Sequence, residues 1–197
     1  FLRISEESTI SSSSFHLDRA KTSGGALFIA YNQEGSSKLC HINHCSFYSC
    51  SSQSEGGAIM SGFYPLDGEQ KYGNTNIEGC NFYQCQSARG GALYFQDGTK
   101  DGNEETRIIS CLFDDCYASG SEHEGYSIYC RSYSIYVDNC TFVHHKQGTG
   151  VNTNCIVYIQ TNENEVAPTV QSLTFEDNTG VSGLVIKTTK ITKIYNI

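Results

Sequence analysis

The chain has 197 residues and a formal net charge of -8, with 21 acidic against 13 basic residues. That balance offers no basic stripe to a nucleic-acid backbone, and no apolar run reaches the ~18 residues of a membrane span. Two prolines, thirteen tyrosines, much Ser, Asn and Gly, and almost no amphipathic stretch rich in Ala, Leu, Glu and Lys exclude a helical bundle and point to strands and turns.

The first predicted element, Phe1-Leu2-Arg3-Ile4, is a strand that begins abruptly, with no start Met and no signal peptide. A repeat follows: an aliphatic residue, two spacers, Cys, one spacer, Phe, two spacers, Cys, then Gly-Gly-Ala and an aliphatic residue. Its first copy is worn, with Ile10, Ser13, Phe15 and Asp18 leading into Gly24-Gly25-Ala26-Leu27. The second and third are full: Ile42, Cys45, Phe47, Cys50 and Gly56-Gly57-Ala58-Ile59, then Ile77, Cys80, Phe82, Cys85 and Gly90-Gly91-Ala92-Leu93. The fourth runs Ile108, Cys111, Phe113, Cys116 and Gly125-Tyr126-Ser127-Ile128; the fifth Val137, Cys140, Phe142, His145 and Asn154-Cys155-Ile156-Val157. In the sixth, Val170, Leu173, Phe175 and Asn178 precede Ser182-Gly183-Leu184-Val185, and a strand-like run, residues 191–197, closes the chain.

Self-similarity at a period of tens of residues is the signature of a solenoid. The Phe anchors lie 32, 35, 31, 29 and 33 residues apart, so the units differ in loop length. Ile42 and Phe47 are an odd number of positions apart and cannot share a face of one straight strand. Both point inward only if the chain bends between Ile42 and Cys45 and again between Phe47 and Cys50. Short strands joined by corners make a polygonal coil, and the expected fold is all-β: a right-handed parallel β-helix of about six coils, one domain over 1–197, cut from a longer solenoid. Stacking predicts three core columns: Ile10, Ile42, Ile77, Ile108, Val137 and Val170; the six Phe; and Leu27, Ile59, Leu93, Ile128, Val157 and Val185. Gly-Gly suits a corner with positive φ or close backbone approach. The long connections, residues 31–37, 64–74, 96–105 and 161–167, are expected along one edge, where binding surfaces usually lie.

These residues resemble the repeats of polymorphic outer-membrane proteins, whose marks are Gly-Gly-Ala-Ile/Leu paired with Phe-x-x-Asn. Gly-Gly-Ala is intact at 24–27, 56–59 and 90–93; Phe-x-x-Asn is literal at Phe175 to Asn178, and Asp18, Cys50, Cys85, Cys116 or His145 takes the Asn position elsewhere. The resemblance covers nearly the whole chain and implies a surface adhesin built on a right-handed parallel β-helix. The chain departs from the family in its wealth of Cys and in carrying no translocating β-barrel.

Ten cysteines suggest an oxidising compartment. Cys45, Cys80, Cys111 and Cys140 form one column, and Cys50, Cys85 and Cys116 a second, with Cys40, Cys130 and Cys155 apart. Disulfides within a coil (Cys45 with Cys50, Cys80 with Cys85, Cys111 with Cys116) or between coils are expected of these columns, against the alternative of reduced thiols stacked inward. Zinc spacing is absent, and no cofactor is expected. Asn139-Cys140-Thr141 is a glycosylation sequon whose Asn must face outward.

Alternation turns the residue after the third column outward, giving a candidate binding stripe of Phe28, Met60, Tyr94, Tyr129 and Tyr158, followed by Ile186. The stripe is expected to contact proteins or glycans, or to be covered by neighbouring copies or flanking parts of the same protein. Two places after Phe, the residues Asp115, His144 and Asp177 stack as neighbours with Asp114 and Glu176 beside them. A His among carboxylates suits general acid–base work on polysaccharides, and a solvated charged corner accounts for the same residues. Asp97, Asp101, Asn103 and Glu105 crowd one loop as oxygen ligands for Ca²⁺, without EF-hand spacing. The leading expectation is a structural and adhesive segment of a surface or extracellular protein; a carbohydrate-active enzyme and an intracellular component of a filament or large assembly are the alternatives.

Overall fold

A computed structural model describes residues 2–4, 6–31, 38–62, 73–96, 105–119, 125–131, 134–146, 155–161, 167–188 and 193–196. Across them the chain is a parallel β-solenoid with four sheets. The Ile sheet has seven strands, among them Lys38–Asn43, Gly73–Glu78 and Thr106–Ile109; the Phe sheet has six three-residue strands such as Ser46–Tyr48 and Asn81–Tyr83. A short sheet of four two-residue strands, Arg19–Ala20 to Tyr117–Ala118, follows, and then the seven-stranded Gly sheet, including Ile59–Gly62 and Leu93–Gln96. The chain visits Ile, Phe, short and Gly sheets in that order, and each strand pairs in parallel with its counterpart one repeat away.

The expected corners are present, and the backbone makes them by one device. Three places before each Phe, and again two places after it, a single residue adopts the left-handed conformation. Ser12, His44, Gly79, Ser110, Asn139 and Ser172 form the first set, and Leu17, Ser49, Gln84, Asp115, His144 and Asp177 the second, all with φ between +50° and +60°. One left-handed residue reverses the alternation of side chains, so Ile42, Cys45, Phe47 and Cys50 all point inward and all are buried.

Register confirms two columns as expected: Ile10, Ile42, Ile77, Ile108, Val137 and Val170 pair in series, as do the six Phe. The Phe rings stack face to face with centroids 4.8–5.1 Å apart. The third column is corrected at its end. Val157 pairs with Leu184, not Val185, because the last copy is offset by one residue. A shift of one residue exchanges the two faces of a strand, so Leu184 joins the core while Val185 joins the outer cluster.

Gly56 turns the corner into the Gly sheet with φ +62°, and Gly57 lets two coils touch. A Cβ on Gly57 would lie 2.0 Å from the Gly91 carbonyl oxygen and 2.6 Å from the Gln86 backbone nitrogen. In the fourth copy this position is Tyr126, fully buried, its ring 5.4 Å from that of Tyr117. The short sheet ends at Tyr117–Ala118, in the same coil as Tyr126.

The cysteines correct the disulfide expectation: all ten are buried and none is in a disulfide. Within a coil, Cys45 and Cys50 flank a three-residue strand and stand roughly 10 Å apart at a ~3.3 Å rise per residue, beyond the ~7 Å Cα limit for a bridge. Between coils, each thiol of the two columns reaches a backbone carbonyl of the preceding coil as well as one of its own coil. Cys80 donates to the Ile42 oxygen at 3.4 Å, Cys111 to Ile77 at 3.8 Å and Cys140 to Ile108 at 3.6 Å. In the second column Cys85 donates to the Phe47 oxygen at 3.7 Å and Cys116 to Phe82 at 3.5 Å. Asn178, in the same column, donates to the Phe142 oxygen at 2.9 Å and accepts from the His145 backbone nitrogen at 2.8 Å. Cys thus fills half of the Asn role, satisfying the carbonyl in less volume.

Burial and neighbouring thiols keep four of these thiols protonated. Burial pushes Cys45 and Cys111 up; Cys50 and Cys85 are pushed up first by the hydrogen bond to the next thiol and then by burial. Cys80 alone is lowered, by the hydrogen bond it shares with Cys111. Since the thiolate is the reacting species, the folded protein is expected to react slowly with a thiol reagent and to release ten thiols once denatured without reductant. Fewer than ten in the denatured count would overturn the free-thiol arrangement.

Candidate contact face on the Phe sheet

Each three-residue strand of the Phe sheet turns its central Phe inward and its last residue outward, and the left-handed corner that follows projects outward as well. Two columns therefore cover this side of the solenoid. The first is His16, Tyr48, Tyr83, Asp114, Val143 and Glu176 in register. The second is the corner set from Leu17 to Asp177.

Along the axis the face changes character. At one end His16 stacks on Tyr48 at 4.6 Å and Tyr48 on Tyr83 at 5.0 Å, with Leu17 exposed beside them. The neighbour after Tyr83 is Asp114, so the ring ladder ends there. A cleft of about 410 Å³ opens at this junction, lined by Tyr48, Tyr83, Gln84, Asp114, Asp115 and His144. His144 Nδ1 lies 2.8 Å from Asp114 Oδ1, and Gln84 donates to Asp115 at 3.5 Å. The Asp114 carboxylate raises the His144 pKa, with smaller contributions from Asp177 and Asp115.

The predicted trio Asp115, His144 and Asp177 does occupy successive positions of one column, each at a left-handed corner. The partner of His144, however, is Asp114, one place before the corner. The sequence hid this pair because the two side chains sit in different columns and meet only across adjacent coils. The His144 side chain is 56% exposed, and Asp115 and Asp177 are exposed. The group can hold a ligand by charge and hydrogen bonds.

The candidate stripe differs from expectation. Phe28, Met60, Tyr94, Tyr129 and Tyr158 do point away from the core and pack in one outer cluster, which ends in Val185 rather than Ile186. Phe28 is half-buried and the other four are not a surface: Met60 is 6% exposed, Tyr94 5%, Tyr129 7% and Tyr158 2%. Cys155 belongs to the same cluster, and the Lys187 ammonium lies 5.0 Å from the centre of the Tyr158 ring. Burial raises the Tyr94 hydroxyl, aided by Glu55, which also sits 3.9 Å from Arg89. Polar stems folded over the rings account for part of the cover, which the period-two pattern of one strand cannot convey.

Of the four loop oxygens, Asp97, Asp101 and Asn103 lie outside the described residues, and Glu105 pairs with Arg107 at 3.7 Å. Among the described residues no cluster of His, Cys, Asp or Glu has the arrangement of a metal site. Asn139 is exposed at its corner, as the sequon requires, and its amide donates to Ser110 at 3.0 Å. No helix among the described residues is long and apolar enough to cross a membrane. In comparisons with known proteins, no family model, curated protein or solved structure matches the chain.

Proposed function

We propose that the chain is a rigid structural and adhesive scaffold of a surface or extracellular protein, with the outer face of the Phe sheet as its contact surface. We read the solenoid as right-handed, the hand that parallel crossover connections take almost without exception, with about six coils. The observation that carries the reading is the asymmetry of the Phe sheet. Its inner side is an unbroken stack of rings, while its outer side spends aromatic residues on solvent, with Tyr48 36% exposed. Exposed rings gain nothing for the core and mark contact surfaces. The resemblance of the repeats to polymorphic outer-membrane protein passengers supports adhesion as the kind of contact.

The test uses the absence of exposed thiols among the described cysteines. A cysteine placed at Ser14 on the Phe sheet, or at Thr9 on the Ile sheet, takes a polyethylene glycol chain selectively. Beads coated with the protein are then scored for adhesion to arrayed glycans and proteins. Adhesion is expected to fall with the chain on Ser14→Cys and persist with it on Thr9→Cys; equal adhesion of both sinks the assignment of the face.

A second reading, an intracellular component of a filament or large assembly, is favoured by one observation, ten cysteines with no disulfide among them, which need no oxidising compartment. The thiol count given above, made on protein from its native source, decides the compartment: intermolecular or intramolecular disulfides there return the chain to the oxidising side.

A further inference from the structure

Leu17 is the anomaly of the contact face. It is 65% exposed and holds φ +55°, a conformation unfavourable for a bulky side chain, where the same corner in other coils carries Ser49, Gln84, Asp115, His144 and Asp177. The corner itself needs a left-handed residue, but a bulky exposed Leu there adds strain that no burial offsets, and such strain collects at ligand contacts. Leu17 adjoins the His16–Tyr48–Tyr83 ladder and so extends an apolar edge. Three coils along, the same two columns present Asp114 and Asp115, and beyond them Glu176 and Asp177, with no Lys or Arg in either column.

The ring geometry narrows the partner. Within the ladder the aromatic faces are turned to one another, within 12° of parallel, so they offer no platform on which a sugar ring stacks. The ladder ends at Tyr83, where a cation meets both the π face of a ring and carboxylates. We propose, building on the contact-face reading above, that this surface docks a basic segment of a protein partner. The segment lies extended along the solenoid axis, an aliphatic side chain on Leu17 and Tyr48 and a Lys or Arg among Tyr83, Asp114 and Asp115. Three strand spacings of about 4.8 Å separate the two ends, which an extended chain covers in roughly four residues at ~3.4 Å each.

The probe is a fluorescent peptide with one leucine followed four and five residues later by arginines in a Gly/Ser background. Controls are the same peptide with glutamates for arginines, and an oligomer of glucosamine. Anisotropy is measured with the intact chain, with Leu17→Gly and with the pair Asp114→Asn, Asp115→Asn. The basic peptide is expected to bind and to lose about tenfold or more in affinity with either variant; the acidic peptide is expected not to bind. Leu17→Gly removes backbone strain, so its urea midpoint is expected to rise while binding falls, a split that a structural role for Leu17 does not produce. Equal binding of the two peptides, unchanged affinity in both variants, or no binding at all overturns the proposal. Tighter binding of the glucosamine oligomer through the same aspartates also overturns it, in favour of a cationic glycan. If polyethylene glycol at Ser14→Cys still blocks adhesion when the peptide fails, the contact face survives and only the basic partner is lost.

Discussion

Gly57→Ala is expected to unfold the solenoid where Gly183→Ala leaves it intact. At Gly57 every atom that a new methyl group meets is backbone: the Gly91 carbonyl oxygen at 2.0 Å and the Gln86 nitrogen and oxygen at 2.6 Å. Those atoms belong to the next coil, and moving them means prying apart hydrogen bonds such as Gly57 N–H to the Gly90 oxygen and Gln86 N–H to the Cys50 oxygen. At Gly183 the nearest atoms are carbons of the Phe175 ring at 3.3 Å, which can tilt away. Overpacking against a side chain that yields costs about 1 kcal/mol, and against a rigid neighbour about 3 kcal/mol or more. Urea unfolding of the two variants measures the difference. Equal losses would mean that the coils are not held as close as Gly57 requires.

Acid is expected to destabilise the protein through His145, separately from its carboxylates. This side chain lies inside the solenoid, where burial lowers its pKa to about 4. Its hydrogen bonds fit the neutral ring. The Asn178 amide donates to the Phe142 oxygen, which leaves its own oxygen to accept from His145 Nδ1 at 3.0 Å; Nε2 then accepts from the Ser127 hydroxyl at 2.5 Å. The unfolded chain takes up this proton near pH 6.5 and the folded chain only near 4, so between those values the unfolded state binds more protons. The contribution is whole above pH 6.5, declines as pH falls to 4, and changes no further below that; it amounts to about 3 kcal/mol. His145→Asn, which installs the side chain used one coil on, is expected to flatten stability against pH over that window relative to the parent chain. Parallel pH profiles for the two proteins would remove His145 as the cause.

Much of the fold was legible because a solenoid repeats its constraints. Ile42, Cys45, Phe47 and Cys50 declared two corners by parity alone, and His44 and Ser49 make them with left-handed backbone. Six copies then fixed the columns, except where the last copy slipped by one residue and put Leu184 in place of Val185. Solvent cover was not legible, since the pattern that turns Tyr94, Tyr129 and Tyr158 out of the core is silent on what folds over them. The contact face was half visible. Asp115, His144 and Asp177 align by spacing, but the Asp114–His144 pair and the strained Leu17 depend on how adjacent coils abut.

The buried polar group divides the two kinds of knowledge most clearly. In the sequence, Ser127 is a worn Ala and His145 a worn Cys, eighteen residues apart and unrelated. In the solenoid they meet at hydrogen-bond distance, both fully buried in the interior. What the sequence by itself determined is everything set by period and parity along the chain: strands, corners, columns and the inward direction of the cysteines. What only the tertiary structure decided is everything set between coils: the stacking of thiols that hydrogen-bond to carbonyls and to their neighbours without forming disulfides, the cover over the aromatic cluster and the partners of the histidines. The physical reason is that the first kind of constraint acts through one backbone's dihedral angles, whereas the second acts through distances between residues some thirty positions apart.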